Sequence, residues 1–512
     1  MLKIRVAILL LFILAAADGF SQGNRTRILS SGDAGGTIPG KPGYGFYRGH
    51  VRIIVLGKGI TITCDYAEVN SSSNDFTGRG NLKITMKNKS TITGKEIRNL
   101  PQQDEMMIDR DVVYTSKDGK TQLFTDRMYY SNKTDVAYFL NNGNMVQDST
   151  TLVSKKGYFR SNKDISAFRG NVVVHSPKYH IESDTLEMRG DSVFFYEPTN
   201  ITADSNYIYC EHGWYDSKSE HANLTCNPYI AAKEQQMWGD SIFYELKAES
   251  GEAFGNVKVI DTVQKIIIHS QYALNRKHRG DALFTDDILA ILIDEDEHGK
   301  SDSLFLNSDT LRMKYDSLEN IESIYAYYKV RFFREDMQGV CDSLSYLMTD
   351  STMRMYYDPI LWSNQDQLTG DSVIMYLSNN RPDSMLLGDR AFIVSQSYDT
   401  LNFNQIKGKN LKGYFNSDSK LEWVEIFTGI ETIYYVTDDA DSSLVGILKV
   451  KSQDMTIQLL NQKIHKINYR QPEAGTMYPE KDLPLSERVL QGYFWHDTTR
   501  PKSKDEFRVQ RR

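Results

Sequence analysis

Thirteen times along this 512-residue chain one short pattern returns: an apolar residue, a spacer, a small residue, then a polar one. The small position falls at Cys64, Gly94, Thr125, Ser154, Ser183, Cys210, Gly239, Ser270, Ser308, Cys341, Gly370, Gly408 and Ser452. The polar position behind it is most often Asp, as at Asp65, Asp126, Asp184, Asp240, Asp309, Asp342 and Asp371, with Lys, Glu or Gln in the other copies. Recurrence at roughly thirty residues marks a repeat architecture, in which each unit is one supersecondary element and its neighbours supply the missing core.

Parity then restricts the shape of the unit. Alternate residues of a strand share a face. Ile181 and Ser183 have one parity, whereas Leu186 and Met188 have the other. The buried face must therefore switch at the small–polar junction, which one extra residue and a bend at the small position would achieve. Each pattern reads as a corner where a strand passes from one sheet to the next.

The remainder of each unit reads as a return strand, clearest in Gly80-Asn81-Leu82-Lys83-Ile84, Gly170-Asn171-Val172-Val173-Val174 and Gly255-Asn256-Val257-Lys258-Val259. Polar turns rich in Asn, Ser, Lys and Gly separate the passes, as hairpins require. Abundant Tyr (31) and Phe (22) against scarce Pro (12) also favour strands. The expected fold is all-β: an elongated antiparallel β-jellyroll, a folded-sheet trough of about thirteen repeats of roughly thirty residues. A parallel β-helix is the structural alternative, disfavoured by two turn clusters per unit and by reversed passes.

Residues 1–22 read as a signal peptide: Lys3 and Arg5 precede an apolar run from Val6 to Ala17, with small residues at Ala17, Gly19 and Ser21. That run is too short to span a bilayer. A Gly-rich linker over 23–47, a repeat domain over 48–460 and a Pro-rich cap or tail over 461–512 complete the expected organisation. With 60 basic and 67 acidic residues the formal charge is -7, which argues against a nucleic-acid partner. Cys64, Cys210 and Cys341 occupy equivalent positions on separate rungs, too distant for a disulfide, and read as buried free thiols. Cys226 lies outside that series.

Catalytic and metal signatures are sparse. No HExxH, CxxC, phosphate-binding loop or dinucleotide fingerprint occurs. His175 and His180 straddle a predicted turn and read as an exposed hairpin rather than a metal pair. The Asp column invites a calcium reading. Yet equivalent residues two strand spacings apart are separated by about 10 Å, and Lys95 and Lys155 interrupt the series. Asp is expected instead to bond backbone N–H groups at the corner. No unit presents the paired carboxylates of a glycosidase. No cofactor is expected and the chain does not read as an enzyme.

The Gly-Asn-Val return strand paired with a small-Asp-x-Leu corner resembles the OstA-like (LptA-type) family of periplasmic lipopolysaccharide-transport proteins. Phe168 to Met188 and Asp75 to Ile97 carry the likeness best, with echoes at Gly255-Asn256-Val257 and Cys341 to Tyr346; it runs from about Gly49 to Gln458. Two departures stand out: many more units than a minimal bridge protein, and no serial membrane strands toward the C-terminus. The resemblance implies a periplasmic protein of Gram-negative outer-membrane assembly that binds lipopolysaccharide or a related glycolipid and shields its acyl chains in an apolar trough. Its partners would be other trough-domain transport proteins, paired through edge strands, with peripheral membrane association as a further contact. The expected lining is Ile62, Leu82, Ile84, Ile92, Val172, Val174, Ile181, Val257, Val259 and Ile268. The competing readings are an exported structural or adhesive β-repeat protein with a filled core and, behind it, a β-helix carbohydrate-active enzyme.

Overall fold

The computed structural model describes residues 26–507 apart from 161, 162, 164, 204, 205, 246, 294–302, 379, 380, 400, 439–442, 461 and 462. The expected signal peptide lies outside the described residues, as do residues 294–302 and 508–512. Within them the chain is all-β and antiparallel, with only four short 3-10 turns. None of their helices is long and apolar enough to cross a membrane. Contacts divide the chain into two units, Met1–Gly190 and Asp191–Arg512.

In the N-terminal unit the strands Gly45–Val55, Ile60–Asn70, Asp75–Thr85, Thr91–Leu100, Glu105–Thr115 and Thr121–Ser131 each pair with the next. Every one of these ladders breaks register near its middle. Small positions sit at such breaks, as Cys64, Gly94 and Thr125 do here and Ser270, Ser308, Cys341 and Ser452 do in the C-terminal unit. Others, such as Ser154, Cys210 and Gly408, end a strand whose continuation begins two residues later.

The parity switch is real, but the extra residue is on the neighbouring strand. Along Ile60–Asn70 the buried residues Ile62 and Cys64 are followed by Ala67 and Val69. Opposite the lone Asp65 stand two left-handed residues on each neighbour, Gly49–His50 (φ 71 and 47°) and Gly80–Asn81 (φ 78 and 41°). That two-against-one arrangement is a β-bulge, which bends and twists the ladder. Gly and Asn tolerate the left-handed region, and this explains the Gly-Asn copies. Tyr328–Lys329 and Asp286–Asp287 adopt it without glycine (φ between 52 and 65°).

Crowding explains why the preceding residue is small. A Cβ added at Gly94 would lie 2.8 Å from Ile108 Cγ2, and one at Gly408 2.5 Å from Ile426 Cγ2. Where the residue is larger than glycine, its side chain serves the bend. Ser154, Ser183, Ser308 and Ser452 each donate a hydroxyl to the carbonyl two residues on (3.1–3.3 Å), and the Cys341 thiol does the same to Ser343. Carbonyls turned out of the ladder are thereby satisfied within the corner.

Both ends of the expected organisation are corrected. Residues 26–30 and 33–37, read as part of a linker, are strands paired with Gly45–Val55. Gly35 and Gly36 are demanded there by close contact: added Cβ atoms would meet Phe46 O at 2.6 Å and the Phe46 ring at 2.7 Å. At the other end the sheet continues past 460 through Lys463–Tyr478, which pairs with Leu444–Leu460. Pro472 belongs to the segment expected as a Pro-rich cap or tail outside the sheet. It sits instead at a register break of this last strand, an edge position where a missing ladder donor is tolerated.

Candidate functional site

The inward residues of the N-terminal unit form one cross-strand row. Ile53 faces Ile62, then Ile84, Ile92, Tyr114, Leu123, Met145, Leu152, Val174 and Ile181 follow, each opposite the last. A second row carries the corner neighbours Leu82 and Val172. Across the fold lie Ala67, Ile97, Ile108 and Met128, all buried. β-branched and aliphatic side chains recur here because each strand presents the same parity to the inside of the bend.

Seven of the ten expected lining residues therefore come together in this unit: Ile62, Leu82, Ile84, Ile92, Val172, Val174 and Ile181. Val257, Val259 and Ile268 are neighbours of one another in the C-terminal unit. Ile62, Leu82, Ile84, Ile92, Val172, Val174, Val257 and Ile268 are buried, while Ile181 and Val259 are half-buried. The interior is close-packed, with Phe139 fully buried between Gly143 and Gly157.

A polar clasp closes the side of this interior away from the corners. Lys58, in the turn between Val55 and Ile60, reaches Asp135 at 2.9 Å in the turn between Ser131 and Val136. Tyr130 also donates its hydroxyl to Asp135 at 2.9 Å. The Lys58 hydrogen bond holds the Asp135 carboxyl below the usual carboxylate range, and the Tyr130 phenol and the charges of Lys58 and Lys87 add to it. Nearby, Thr26 donates its N–H and hydroxyl to Asn74 Oδ1, both at 2.8 Å. The turns on the Lys58 side also carry Lys87, Lys89, Lys117 and Lys120, all exposed. Carboxylates of the facing turns are occupied by tyrosines, Tyr44 on Asp75 and Tyr138 on Glu105.

The Asp column serves the bulges, although not as expected. Backbone N–H groups of its own turn are not its main partners. Asp65 accepts from Asn81 Nδ2 at 2.8 Å, and Asp240 from Asn256 Nδ2 at 3.1 Å. Asp309 takes Lys329 Nζ at 3.0 Å and Asp371 takes Arg390 Nε at 2.5 Å. In each case the partner is the second left-handed residue of the neighbouring strand. Asp184 accepts the N–H of Asn171 at 3.4 Å, Asp342 accepts from Ser343, and Asp126 is exposed. Asp65, Asp184, Asp240, Asp309 and Asp371 thus tie down the bulge that opposes them.

Cys64, Cys210 and Cys341 are buried free thiols and Cys226 is an exposed one. Burial pushes the Cys64 thiol up to about 11 and those of Cys210 and Cys341 to about 12, so these sulfurs behave as small apolar groups. His175 and His180 face each other across their hairpin with ring centroids 5.9 Å apart, and His180 contacts Glu182 at 3.2 Å.

The expected lining omitted five members of the row, Ile53, Tyr114, Leu123, Met145 and Leu152; of these Tyr114 and Met145 carry no motif of their own. Sequence reasoning also missed the clasp, because Lys58 and Asp135 lie 77 residues apart in ordinary turns.

Bent antiparallel passes that enclose an aliphatic row define a folded-sheet β protein. Residues 50–184 match the family described as OstA-like protein, and the chain thus carries an OstA-like domain in its N-terminal unit. No curated protein matches the sequence. Among similar solved structures is LptH of Pseudomonas aeruginosa, described as the LptA-homologous periplasmic component of the conserved lipopolysaccharide transport device. It is 14% identical, covers 21% of this chain and 82% of its own, and superposes with a TM-score of 0.20.

Proposed function

We propose that the chain is a periplasmic lipopolysaccharide-binding transport or bridge protein of outer-membrane assembly, and that the inward row of the OstA-like domain receives the acyl chains. The observation that carries this reading is the uninterrupted apolar row from Ile53 to Ile181, whose open side is bridged by half-buried polar contacts such as Lys58–Asp135. Surface ion pairs contribute about 0–1 kcal/mol, whereas each CH₂ transferred from water contributes about 0.8 kcal/mol. A chain of a few carbons thus outweighs the clasp. The row repeats the same environment rung after rung, which allows movement along it without a deep trap. Basic turns at Lys87, Lys89, Lys117 and Lys120 beside the mouth suit an anionic headgroup. The OstA-like match and the chemistry of the interior point the same way. Export by a cleaved signal peptide and end-on pairing with other trough-domain proteins belong to this proposal.

Photo-crosslinking tests it. Probes at Ile62, Ile84 and Val172 should capture lipopolysaccharide, and probes at their outward neighbours Thr63, Lys83 and Val173 should not. Equal labelling of both sets would sink the proposal and favour a filled-core structural protein.

A further inference from the structure

The C-terminal unit carries a device with no counterpart among the described residues of the OstA-like domain. After the last strand, Lys463–Tyr478, the chain turns at Pro479 and runs back over the outward face of its own sheet. Three glutamines receive it. Gln405 Nε2 donates to Arg488 O at 2.9 Å while its Oε1 accepts the Leu490 N–H at 2.8 Å. Gln367 repeats this with Phe494 O and the His496 N–H, both at 2.8 Å. Gln338 Oε1 accepts from Arg500 at 2.7 Å, and Arg500 also donates to Asn364 O at 2.7 Å.

These glutamines stand three residues before the small positions Gly408, Gly370 and Cys341, so they mark the same outward site on three successive units. In the first two, one side-chain amide engages residues i and i+2 of the segment, as a neighbouring strand would. Leu483 and Leu490 bury themselves on Phe392, Val394, Ile433, Tyr435 and Ile447. Phe507 closes the strap against Leu289 and Phe333. In the N-terminal unit the equivalent outward sites are Thr61, Thr91, Gln122, Thr151 and His180, and among the described residues none of their side-chain contacts is to a crossing segment; His180 meets Glu182 and His175 of its own hairpin.

We infer that the two units differ in function: the OstA-like unit opens to take up lipid, whereas the strap fixes the spacing of successive hairpins in the C-terminal unit and keeps its interior closed. This rests on the proposed lipid-binding reading for the word "lipid" alone; the mechanical difference stands on the strap. To admit a chain, a close-packed interior must let its half-sheets part, and each half-sheet must flex and twist as it does so. A segment clipped at three rungs resists that flexing, while a clasp between two turns does not.

The test combines hydrogen exchange with crosslinking in the full-length protein. Inward amides of 60–64 and 82–85 should exchange at least tenfold faster than those of 391–394 and 403–406. Lipopolysaccharide should crosslink to a probe at Ile84 and not to one at Ile393. In the variant Gln338→Ala/Gln367→Ala/Gln405→Ala, exchange at 391–394 and 403–406 should rise about tenfold and the Ile393 probe should begin to label. The single variants Gln367→Ala and Gln405→Ala, each lacking one clip, should give smaller graded rises if the triple variant fails to fold. Equal exchange of the two units in the unaltered protein, or unchanged exchange on loss of the clips, would overturn the inference. The expected exchange pattern with no labelling at either probe would uphold the strap and overturn the lipid reading.

Discussion

Phe139 offers the sharpest test of how the units pack. Its ring is fully buried, and Cβ atoms added at Gly143 and Gly157 would lie 2.4 and 2.3 Å from it. Gly143 and Gly157 are paired with corner and return strands on either side, so the ring occupies space that two missing side chains vacate. Phe139→Ala should cost about 3–5 kcal/mol, the transfer term plus a cavity between two glycines that cannot collapse. Gly157→Ala should cost about 1–3 kcal/mol by overpacking against the ring. In the Phe139→Ala background the same Gly157→Ala change meets no ring, and its own cost should fall to near zero or turn favourable by filling the void. The coupling between the two sites is then about 1–3 kcal/mol. Because a chain with two units need not unfold in one step, the assay is native-state hydrogen exchange read at 136–139, 143–147 and 157–160. Strict additivity of the two costs would refute the idea that the ring and the glycines are complementary halves of one packing element.

Other outcomes follow from single residues. Glu96 is buried among Arg79, Arg98 and Arg110 at 3.6, 2.8 and 2.8 Å. Burial alone would raise its carboxyl, but the Arg98 hydrogen bond and the charges of Arg98, Arg79 and Arg110 outweigh it and hold it below the usual range. A depressed folded value gives stability that is present above the unfolded value near ~4.3 and is lost as pH falls through the folded one. Glu96→Gln should flatten the acid limb of the N-terminal unit's stability curve and, the arginines being half exposed, cost about 1–2 kcal/mol at neutral pH. Asp366 behaves oppositely: burial near the strap pushes its carboxyl up to about 6, against a Ser395 hydrogen bond and the charge of Arg500. Its contribution is most favourable below the unfolded value near ~3.9 and fades as pH rises through about 6. Asp366→Asn should abolish that slope in a pH series of exchange at 366–369. Tyr328→Gly relieves a left-handed, largely exposed tyrosine (φ 65°) and should stabilise its bulge by up to about 1 kcal/mol in the same assay. Ser308→Ala removes the hydroxyl bond to Thr310 O and should cost about 1 kcal/mol.

The corners were legible in sequence because they break a rule that strands otherwise keep. Ile181, Ser183, Leu186 and Met188 cannot share a face of a straight strand, so parity alone located the bend. What parity could not locate was the extra residue, since the bulge is a relation between two strands: Gly80–Asn81 matters only as the partner of Asp65. The same limit explains the misread termini. Gly35 and Gly36 look like linker until Phe46 is seen lying on them, and Pro472 looks like a stop until its strand proves to be an edge. One signal was available and went unused. Ile360-Leu361-Trp362 and Ala391-Phe392-Ile393-Val394 are continuous apolar runs, unlike Thr61-Ile62-Thr63-Cys64. Strands covered on both faces read that way, so the strap left its imprint on the sheet beneath it.

The packing of the row also bears on what the proposed lipid uptake would involve. Ile62, Ile84 and Ile92 are at most 1% exposed, so a lipid chain cannot simply fill a space; it must replace contacts that these residues make with the opposite half-sheet. Side chains that part and then close on an acyl chain regain apolar surface of the same kind, so the exchange is nearly neutral for the protein, and the lipid supplies the driving force. A chain of about twelve CH₂ groups leaving water would contribute about 10 kcal/mol. That is ample to open a unit held by Lys58–Asp135 and Thr26–Asn74. It must also offset the twisting of each half-sheet, and where a buried strap opposes that twisting the margin narrows. Thermodynamics would therefore favour the proposed uptake where the sequence alternates Thr with Ile, and disfavour it where both faces are apolar and the strap covers one of them.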